Sequence, residues 1–334
     1  MTRPALPSFS IIIESENLAV EDSVVLFSAL DTLCNQTVSM SDANEAFLVN
    51  SGRIPPAVEA RIRTEYPSLR IHMIDAESTY YEAKQNTVAL TTGEIIVFCD
   101  CDCRYSPEWL ESLLAPYADP LLNAEIVTGE TSIELKGFHS YFIALAWCFP
   151  LQSNRTSPYK SNGYAANNVS FRRTLLDENP MPTDLQIYRG NCSLHARHLI
   201  DQGVDIWKAP RARALHPELR PAHAPARYFM WGHHEAQVCM TKNRGIKNPI
   251  LRASKVFVAI AKVTARRMAM PFIRWPSLLR RRPASTFYIP PLLCYIAVAN
   301  ILFVLGIVAT ITYPSMSLLG LAKRLELSEH HSNA

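Results

Sequence analysis

Two carboxylates one residue apart, Asp100 and Asp102, are the side chains of this sequence best placed to do chemistry. They stand in Glu94-Ile-Ile-Val-Phe-Cys-Asp100-Cys-Asp102-Cys-Arg104, on an apolar run that follows Gly93. Such a run reads as a short strand buried on both faces, as in a parallel sheet. Ser106 suits an N-cap and Pro107 a first helical position, so the spacing predicts that the chain turns into a helix at once. Buried strand, acidic exit and helix start put the pair at the carboxyl edge of the sheet, where open α/β sheets bind ligands. Two carboxylates there repel unless a cation lies between them, and oxygen ligands favour a hard ion such as Mg²⁺ or Mn²⁺. Such an ion can hold a diphosphate and stabilise it as it leaves. The competing reading makes both aspartates loop residues with capping duties; their position after a buried strand is what raises the chemical one.

Cys99, Cys101 and Cys103 alternate with the aspartates, which raises a thiolate metal site as a rival. Zinc motifs leave at least two residues between paired cysteines and bring a second pair from elsewhere. Cys34, Cys148, Cys192, Cys239 and Cys294 supply no such pair, so the three read as small hydrophobes packed behind the acidic edge. Eight dispersed cysteines fit a reducing compartment better than a disulfide scaffold.

The elements that must position these groups are legible in the pattern. Phe9–Ile13, Ala46–Val49 and Ile71–Ile74 read as strands; residues 23–33, 56–66 and 81–92 read as helices, with Gly93 suited to the C′ position of the last. Four strand–helix alternations with short connections predict a doubly wound, mostly parallel sheet. Further on, residues 125–128 and 205–208 read as strands, 167–173 as a strand turning into a helix, 138–149 as an apolar helix or lining segment, and 193–202 as a helix. At 334 residues the chain has room for one large α/β domain and an appendage. A hydrophobic content of 48% with 19% charged residues argues against disorder. A net charge of +3, and no basic stripe interleaved with aromatics in the first 240 residues, argue against a nucleic-acid partner. No G-x-G-x-x-G, Walker A or G-x-S-x-G motif occurs among only 11 glycines, which counts against a dinucleotide oxidoreductase, a P-loop enzyme and an α/β-hydrolase. The first seven residues hold no apolar h-region, so no signal peptide is expected.

The last third changes character. Lys255, Lys262, Arg266, Arg267, Arg274 and Arg280-Arg281-Arg282 alternate with apolar clusters, a basic amphipathic pattern suited to a membrane surface. Ile289–Ile311 then carries no charge and is long enough to cross a bilayer. The triple arginine outweighs Lys323-Arg324 beyond the run, which predicts a large cytoplasmic domain on a single-pass anchor. The expected divisions are a catalytic-type domain over 1–225, a basic juxtamembrane segment over 226–284, a transmembrane helix over 285–312 and a tail over 313–334.

At this point the chain resembles a known family, the family 2 glycosyltransferases of GT-A fold. Ser10-Ile-Ile-Ile-Glu-Ser-Glu-Asn17 resembles their opening "SVIIPTYN" segment. Residues 84–93 are similar to their "KN-x-G-x-x-x-A-x-G" helix, and 94–109 to the segment bearing the Asp-x-Asp motif. Asn168-Val-Ser-Phe-Arg-Arg173 resembles "NxAFRR", and residues 203–216 resemble "GWRIxYxPxAxVxH". The resemblance implies a membrane-anchored enzyme moving a sugar, with inversion, from a nucleotide-diphosphate donor to a hydroxyl of a lipid-linked or envelope glycan. It implies Mg²⁺ or Mn²⁺ as cofactor, with Asp100, Asp102 and His216 at the metal. Glu14, Glu16, Asn50, Lys84, Asn86 and Asp100 would bind the nucleotide sugar, and Asn168, Asn191 and Cys192 would lie at the acceptor site.

Three departures stand out. Asn50 replaces the usual base-reading Asp, and Glu14 the usual Pro. Counted back from Gly203, the carboxylate pair that supplies the family's base falls on Asn191-Cys192, so Asp184, His195 or another loop carboxylate would have to substitute as the catalytic base. The same departure supports a rival function, a non-catalytic membrane subunit that binds a nucleotide sugar or a partner. The Q-x-x-R-W motif of processive synthases is incomplete: Arg274-Trp275 is present, but Pro271 replaces Gln.

Overall fold

The computed structural model describes residues 5–15, 23–146, 149–183, 190–217 and 224–313. The apolar runs form the centre of the sheet: β1 (Phe9–Glu14), β2 (Ala46–Asn50) and β4 (Ile95–Asp100) are buried along their whole length, with β3 (Leu69–Met73) partly exposed beside β2. These four pair in parallel, in the order β3-β2-β1-β4. Beyond β4 the ladders turn antiparallel. β8 (Asn168–Arg172) pairs antiparallel with both β4 and β6 (Ile126–Ile133), and β9 (Ile206–His216) pairs antiparallel with β5 (Arg104–Tyr105) and β7 (Tyr159–Ser161). The sheet counts nine strands among the described residues. Because β1 leads to β2 and β3 on one side while β4 lies on the other, the strand order reverses between β1 and β4, the place where such sheets bind ligands.

Alternate strand residues feed two apolar clusters. Ile11, Ile13, Leu48 and Val97 pack with Leu26 and Leu30 of α1 (Ser23–Cys34) and with Trp109 of α4 (Trp109–Leu114). Ile12, Val49, Ile96 and Phe98 pack on the other side with Tyr80 and Ala83 of α3 (Tyr80–Thr87) and with Ala196 and Leu199 of α7 (Asn191–Asp201). The outer helix α2 (Pro56–Glu65) buries only Ile62, and the short α6 (Arg173–Glu178) follows β8 directly.

Local geometry departs from expectation in two places. Gly93 does not cap a helix, because α3 ends at Thr87 and a 3₁₀ turn runs to Leu90. A Cβ at Gly93 would lie 2.3 Å from the Phe9 carbonyl carbon, so the glycine permits the close approach of two backbones where β4 begins beside β1. Nor does Ser106-Pro107 start a helix at once. The two-residue β5 comes first, a turn follows in which the Ser106 carbonyl accepts from the Trp109 amide, and α4 begins after Glu108.

The chain divides into two compact units. The first comprises Met1–Ser132, Gln152–Leu185 and Asn191–Pro217, and the second Ile133–Leu151, Gln186–Gly190 and Glu218–Ala334. The second holds α5 (Phe138–Ala146), α8 (Ala224–Lys242), α9 (Pro249–Arg281) and α10 (Ile289–Thr312). Over Thr286–Thr312 mean hydropathy reaches 2.6, making this the one described helix long and apolar enough to cross a membrane. α8 and α10 touch through glycine: a Cβ on Gly232 would lie 1.8 Å from the Phe303 carbonyl oxygen, and one on Gly306 2.0 Å from that of Phe229. Residues 314–334, nearly all of the expected tail, lie outside the described residues.

Candidate active site

The acidic edge is built at the end of β4. Register puts Glu14 of β1 directly beside Asp100, and the Cys101 amide donates to the Glu14 carbonyl. Both carboxylates are buried. Asp100 is held from α3, whose first turn is fixed by a capping box between Thr79 and Glu82. Lys84 Nζ reaches Asp100 Oδ1 at 2.5 Å, and Tyr80 Oη donates to both carboxylate oxygens at 2.9 and 3.0 Å. The other two Lys84 donors go to the carbonyls of Cys99 and Ala166 at 2.9 and 3.0 Å. An ammonium has three donors, so Lys84 is fully engaged inside the protein and has none left for a nucleoside. It neutralises Asp100.

Asp102 has different company. Its Oδ2 lies 3.6 Å from Nε2 of His216, the last residue of β9, and its Oδ1 accepts from Cys103 Sγ at 3.3 Å. One ligand atom from each of Asp102, Cys103 and His216 falls within 4.8 Å of the others. His216 Nδ1 lies 2.8 Å from the Pro217 carbonyl, which can only accept, so Nδ1 carries the ring proton. Nε2 is then the ring atom that faces the Asp102 carboxylate. Either a proton on Nε2 or a cation held between the two side chains satisfies that contact. Burial raises the Asp102 pKa, with His216 opposing. Burial and the Asp102 charge push the Cys103 thiol well above its usual range. Cys99 and Cys101 pack in the apolar cluster, as small hydrophobes would.

Asn50 ends β2, next to β1. Its Oδ1 accepts from the amides of Gly52 and Ile54 at 2.9 and 3.2 Å, and Gly52 closes the turn at φ +84°. That assignment leaves Nδ2 as a buried donor with no partner among the described residues, as is Ser51 Oγ beside it. Asn86 is exposed on α3 and shares none of these contacts.

The acceptor-side residues divide. At the start of α7, Asn191 Nδ2 donates to the Pro182 carbonyl at 2.7 Å while its buried Oδ1 has no partner among the described residues. Cys192 Sγ accepts from Tyr81 Oη at 3.4 Å, and Tyr81 packs edge-on to Tyr80, the residue that holds Asp100. Asn168 is different: Oδ1 accepts from Trp109 Nε1 at 2.8 Å and Nδ2 donates to the Ala212 carbonyl at 3.0 Å, so it ties β8 to α4 and β9. His195 is buried, with Nδ1 at 2.7 Å from Tyr164 Oη and Nε2 at 2.9 Å from the Asn179 carbonyl. The carbonyl takes the Nε2 proton and Tyr164 donates to Nδ1, which leaves no lone pair to accept a substrate proton. Burial lowers the His195 pKa to about 4. This is a packed core histidine rather than a base. Glu16 and Asp184 lie outside the described residues.

Sequence reasoning missed several groups. Tyr105 accepts from the Asp100 amide and reaches the Asp100 carbonyl, both at 2.9 Å, which fixes the strand end. Asn167 links Thr131 Oγ1, at 3.0 Å, to Cys103 Sγ, at 3.7 Å. Glu130 is a buried carboxylate near the end of β6, accepting from the Ser153 amide at 2.8 Å and Tyr159 Oη at 3.4 Å. None carries a motif; the run Thr128-Gly-Glu-Thr-Ser132 between Ile126-Val127 and Ile133 is the signal the sequence offers.

Comparison with known proteins bears on this edge. The family model described as Glycosyl transferase family 2 matches residues 23–179, just under half of the chain. A search of curated proteins gives no match. Among solved structures, the chain is similar to the mannosyltransferase PcManGT from Pyrobaculum calidifontis in complex with GDP-Man and Mn²⁺, at 16% identity and a TM-score of 0.55, covering 98% of this chain and 88% of that one. It is also similar to GalNAc-T7 with UDP, GalNAc and Mn²⁺, at 13% identity and a TM-score of 0.53, covering 73% of this chain and 52% of that one, about half its length. The fold is therefore GT-A.

Proposed function

We propose that this chain, which carries a family 2 glycosyl transferase domain, is a membrane-anchored glycosyltransferase that moves a sugar from a nucleotide-diphosphate donor to an acceptor hydroxyl with inversion. The observation that carries the reading is the meeting of Asp102 Oδ2 and His216 Nε2, 3.6 Å apart, with a Cys103 ligand atom within 4.8 Å of both side chains' ligand atoms, at the carboxyl edge of β4. Oxygen and nitrogen donors of this kind suit Mg²⁺ or Mn²⁺, and Mn²⁺ accompanies the nucleotide ligands of both similar structures. Asp102 and His216 would hold the ion, with Cys103 beside them. When bound it supplies positive charge against the departing diphosphate.

The chain's own groups do the rest. Lys84 and Tyr80 hold the Asp100 carboxylate in place, so the strand end is fixed before the donor arrives. Asn50 Nδ2 and Ser51 Oγ, which have no partner among the described residues, would supply donors for the nucleoside, with Glu14 at the same edge. In the transfer, the acceptor oxygen forms a bond to the anomeric carbon as the bond to diphosphate breaks on the opposite face. The acceptor proton must pass to a base. Asn191 and Cys192 offer no carboxylate, and Asp184 takes that role in this proposal. α10 provides the anchor, and a lipid-linked or envelope glycan is the acceptor class that suits an anchored enzyme. The domain division follows, with the transferase domain preceding a basic segment and the span.

A rival reading is favoured by one feature, the Asn191 amide where a base is needed: a non-catalytic subunit that binds the nucleotide sugar. The two are separated by measuring Mn²⁺-dependent nucleotide release from sugar-nucleotide donors alongside donor binding. Asp102→Asn should abolish metal-dependent donor binding without lowering Tm. Unchanged metal-dependent affinity in that variant would overturn the assignment, and binding without any transfer in the wild type would favour the subunit. Asp184→Asn should lower transfer by roughly 10²-fold or more with donor binding intact.

A further inference from the structure

The second compact unit contains a helix whose composition is not explained by what it packs on. α9 runs for 33 residues without one acidic side chain. Its inner face is short: Arg267, Pro271 and Leu278 are buried, with Ile260 and Val263 against the cluster of Ala236, Phe303 and Ile307. The basic residues, uniform in sequence, form two populations in the structure. Arg267 points inward, with its guanidinium 3.8 Å from the Trp231 ring centre and 4.5 Å from that of Phe303. Arg267 and Arg274 donate to the carbonyls of Ala146, Ala144 and Leu145, the last turn of α5, where a cation complements the helix dipole. These two hold the unit together. Lys255, Lys262, Arg266 and Arg280 are exposed, and make no ion pair among the described residues.

The exposed surface is ordered as well. On a projection of about 100° per residue, Ile250, Phe257, Met268 and Phe272 fall within about 60° of one another. Their exposures are 81, 73, 45 and 59%. Lys255, Lys262, Arg266 and Arg280 lie together along one flank of that stripe, with Ile273 exposed among them and Leu251 and Val258 between row and stripe, and the packed face lies on the other. An apolar stripe left in water beside a row of cations, with no anions anywhere on the helix, matches the chemistry of an anionic lipid leaflet: acyl chains for the stripe, headgroup phosphates for the row. α10 begins at Ile289, shortly after α9 ends at Arg281, and keeps Leu293, Val298, Ile301, Leu305 and Val308 exposed. A bilayer that accepts α10 therefore lies next to the carboxyl end of α9.

We infer that α9 lies in the plane of an anionic phospholipid surface, with Ile250, Phe257, Met268 and Phe272 at acyl depth and Lys255, Lys262, Arg266 and Arg280 on the headgroups. This rests on the membrane anchoring proposed above. The test uses the full chain in nanodiscs of phosphatidylcholine alone or with 30% phosphatidylglycerol. Every cysteine that reacts is first replaced by serine, and a nitroxide is placed at Phe257→Cys, Phe272→Cys or Lys262→Cys. Collision with oxygen reports acyl surroundings and collision with a nickel chelate reports water. Nitroxides at 257 and 272 should favour oxygen, and more so with phosphatidylglycerol, while the one at 262 favours nickel. Each basic residue near an anionic leaflet is worth roughly a fivefold preference, so Lys255→Gln/Lys262→Gln/Arg266→Gln should weaken docking by about 100-fold and return 257 to nickel. Nickel-accessible labels at 257 and 272 in both lipids would overturn the inference. So would dipolar broadening between labels at 257, the mark of a second copy of the chain on the stripe. Alkaline extraction of membranes carrying the same chains tests α10 separately: release of the chain refutes the span, whereas retention with nickel-accessible labels refutes the docking of α9 alone.

Discussion

Lys84 is the side chain on which the acidic edge depends. It is wholly buried, and its charge is met by Asp100 at 2.5 Å and two backbone carbonyls. Breaking one partner of such a pair strands the other charge, which costs about 3–5 kcal/mol, whereas replacing both with apolar or neutral groups is far milder. Lys84→Met should therefore lower stability by that amount in denaturant titration, and Lys84→Met/Asp100→Asn should recover a large part of it. Equal stability of the single and double variants would show that the pair is not the origin of the loss. His195 provides a second reading at this scale. Its folded pKa of about 4 lies below the ordinary value of 6.5, so between these values the unfolded chain binds the proton and the folded one does not. The stability it contributes is complete above about pH 6.5 and lost as pH falls toward 4, a difference of roughly 3 kcal/mol. Burial lowers His234 in the same direction, to about 3, so the measurement is the difference between proteins. His195→Gln should flatten part of the acid slope of Tm between pH 7 and 4.5. An unchanged slope would remove His195 from the account.

At the scale of elements, the sequence is most legible where burial is continuous. β1, β2 and β4 follow from unbroken apolar runs, and the resemblance reaches β8 and β9 through Asn168 and His216. β5 and β7 are two and three residues long and exist because β9 extends along them, a non-local cause that no local pattern records. The pairing of Lys84 with Asp100 was hidden for the same reason, since helix and strand meet only after the fold closes. Gly93 misled because a glycine after a helical pattern resembles a cap, while its real constraint comes from Phe9. In the second unit, Gly232 and Gly306 are the comparable constraint. A side chain at either would meet a carbonyl oxygen of the facing helix, and His233 Nδ1 could not keep its 2.6 Å contact with Thr310 Oγ1 if the helices moved apart. Gly306→Val should cost about 1–3 kcal/mol through overpacking and lower the melting temperature in detergent. Gly245, whose Cβ direction is open, is the control: Gly245→Ala should leave it nearly unchanged. Similar losses in both variants would show that close approach of α8 and α10 is not what the glycine provides.

For the whole molecule, the proposed anchoring and donor together require the acidic edge to face the compartment that holds nucleotide sugars, and topology tests this. α10 has 24 residues, about 36 Å at 1.5 Å per residue, against a hydrocarbon core of about 30 Å. Its uncovered face is apolar, and it is apolar all round in composition, which packing on α8 alone does not require. Arg280, Arg281 and Arg282 precede it and only Lys323 and Arg324 follow within a short distance. Where a helix crosses, the side with more arginine and lysine stays in the cytoplasm, so the charge pattern predicts a cytoplasmic preceding domain and a carboxyl terminus across the membrane. Reporter fusions should then behave oppositely: one joined at Met1 active in the cytoplasm, one joined at Ala334 active only across the membrane. Arg280→Gln/Arg281→Gln/Arg282→Gln removes the bias, and in a mixed population both reporters should gain activity in the opposite compartment. If the Ala334 fusion reports the cytoplasm in the unaltered chain, α10 does not cross by itself, and either it lies in the leaflet beside α9 or residues 317–321 return the chain. Metal-dependent donor binding at Asp102 and His216 stands apart from that result, because it is measured on the folded chain in detergent, where no compartment exists.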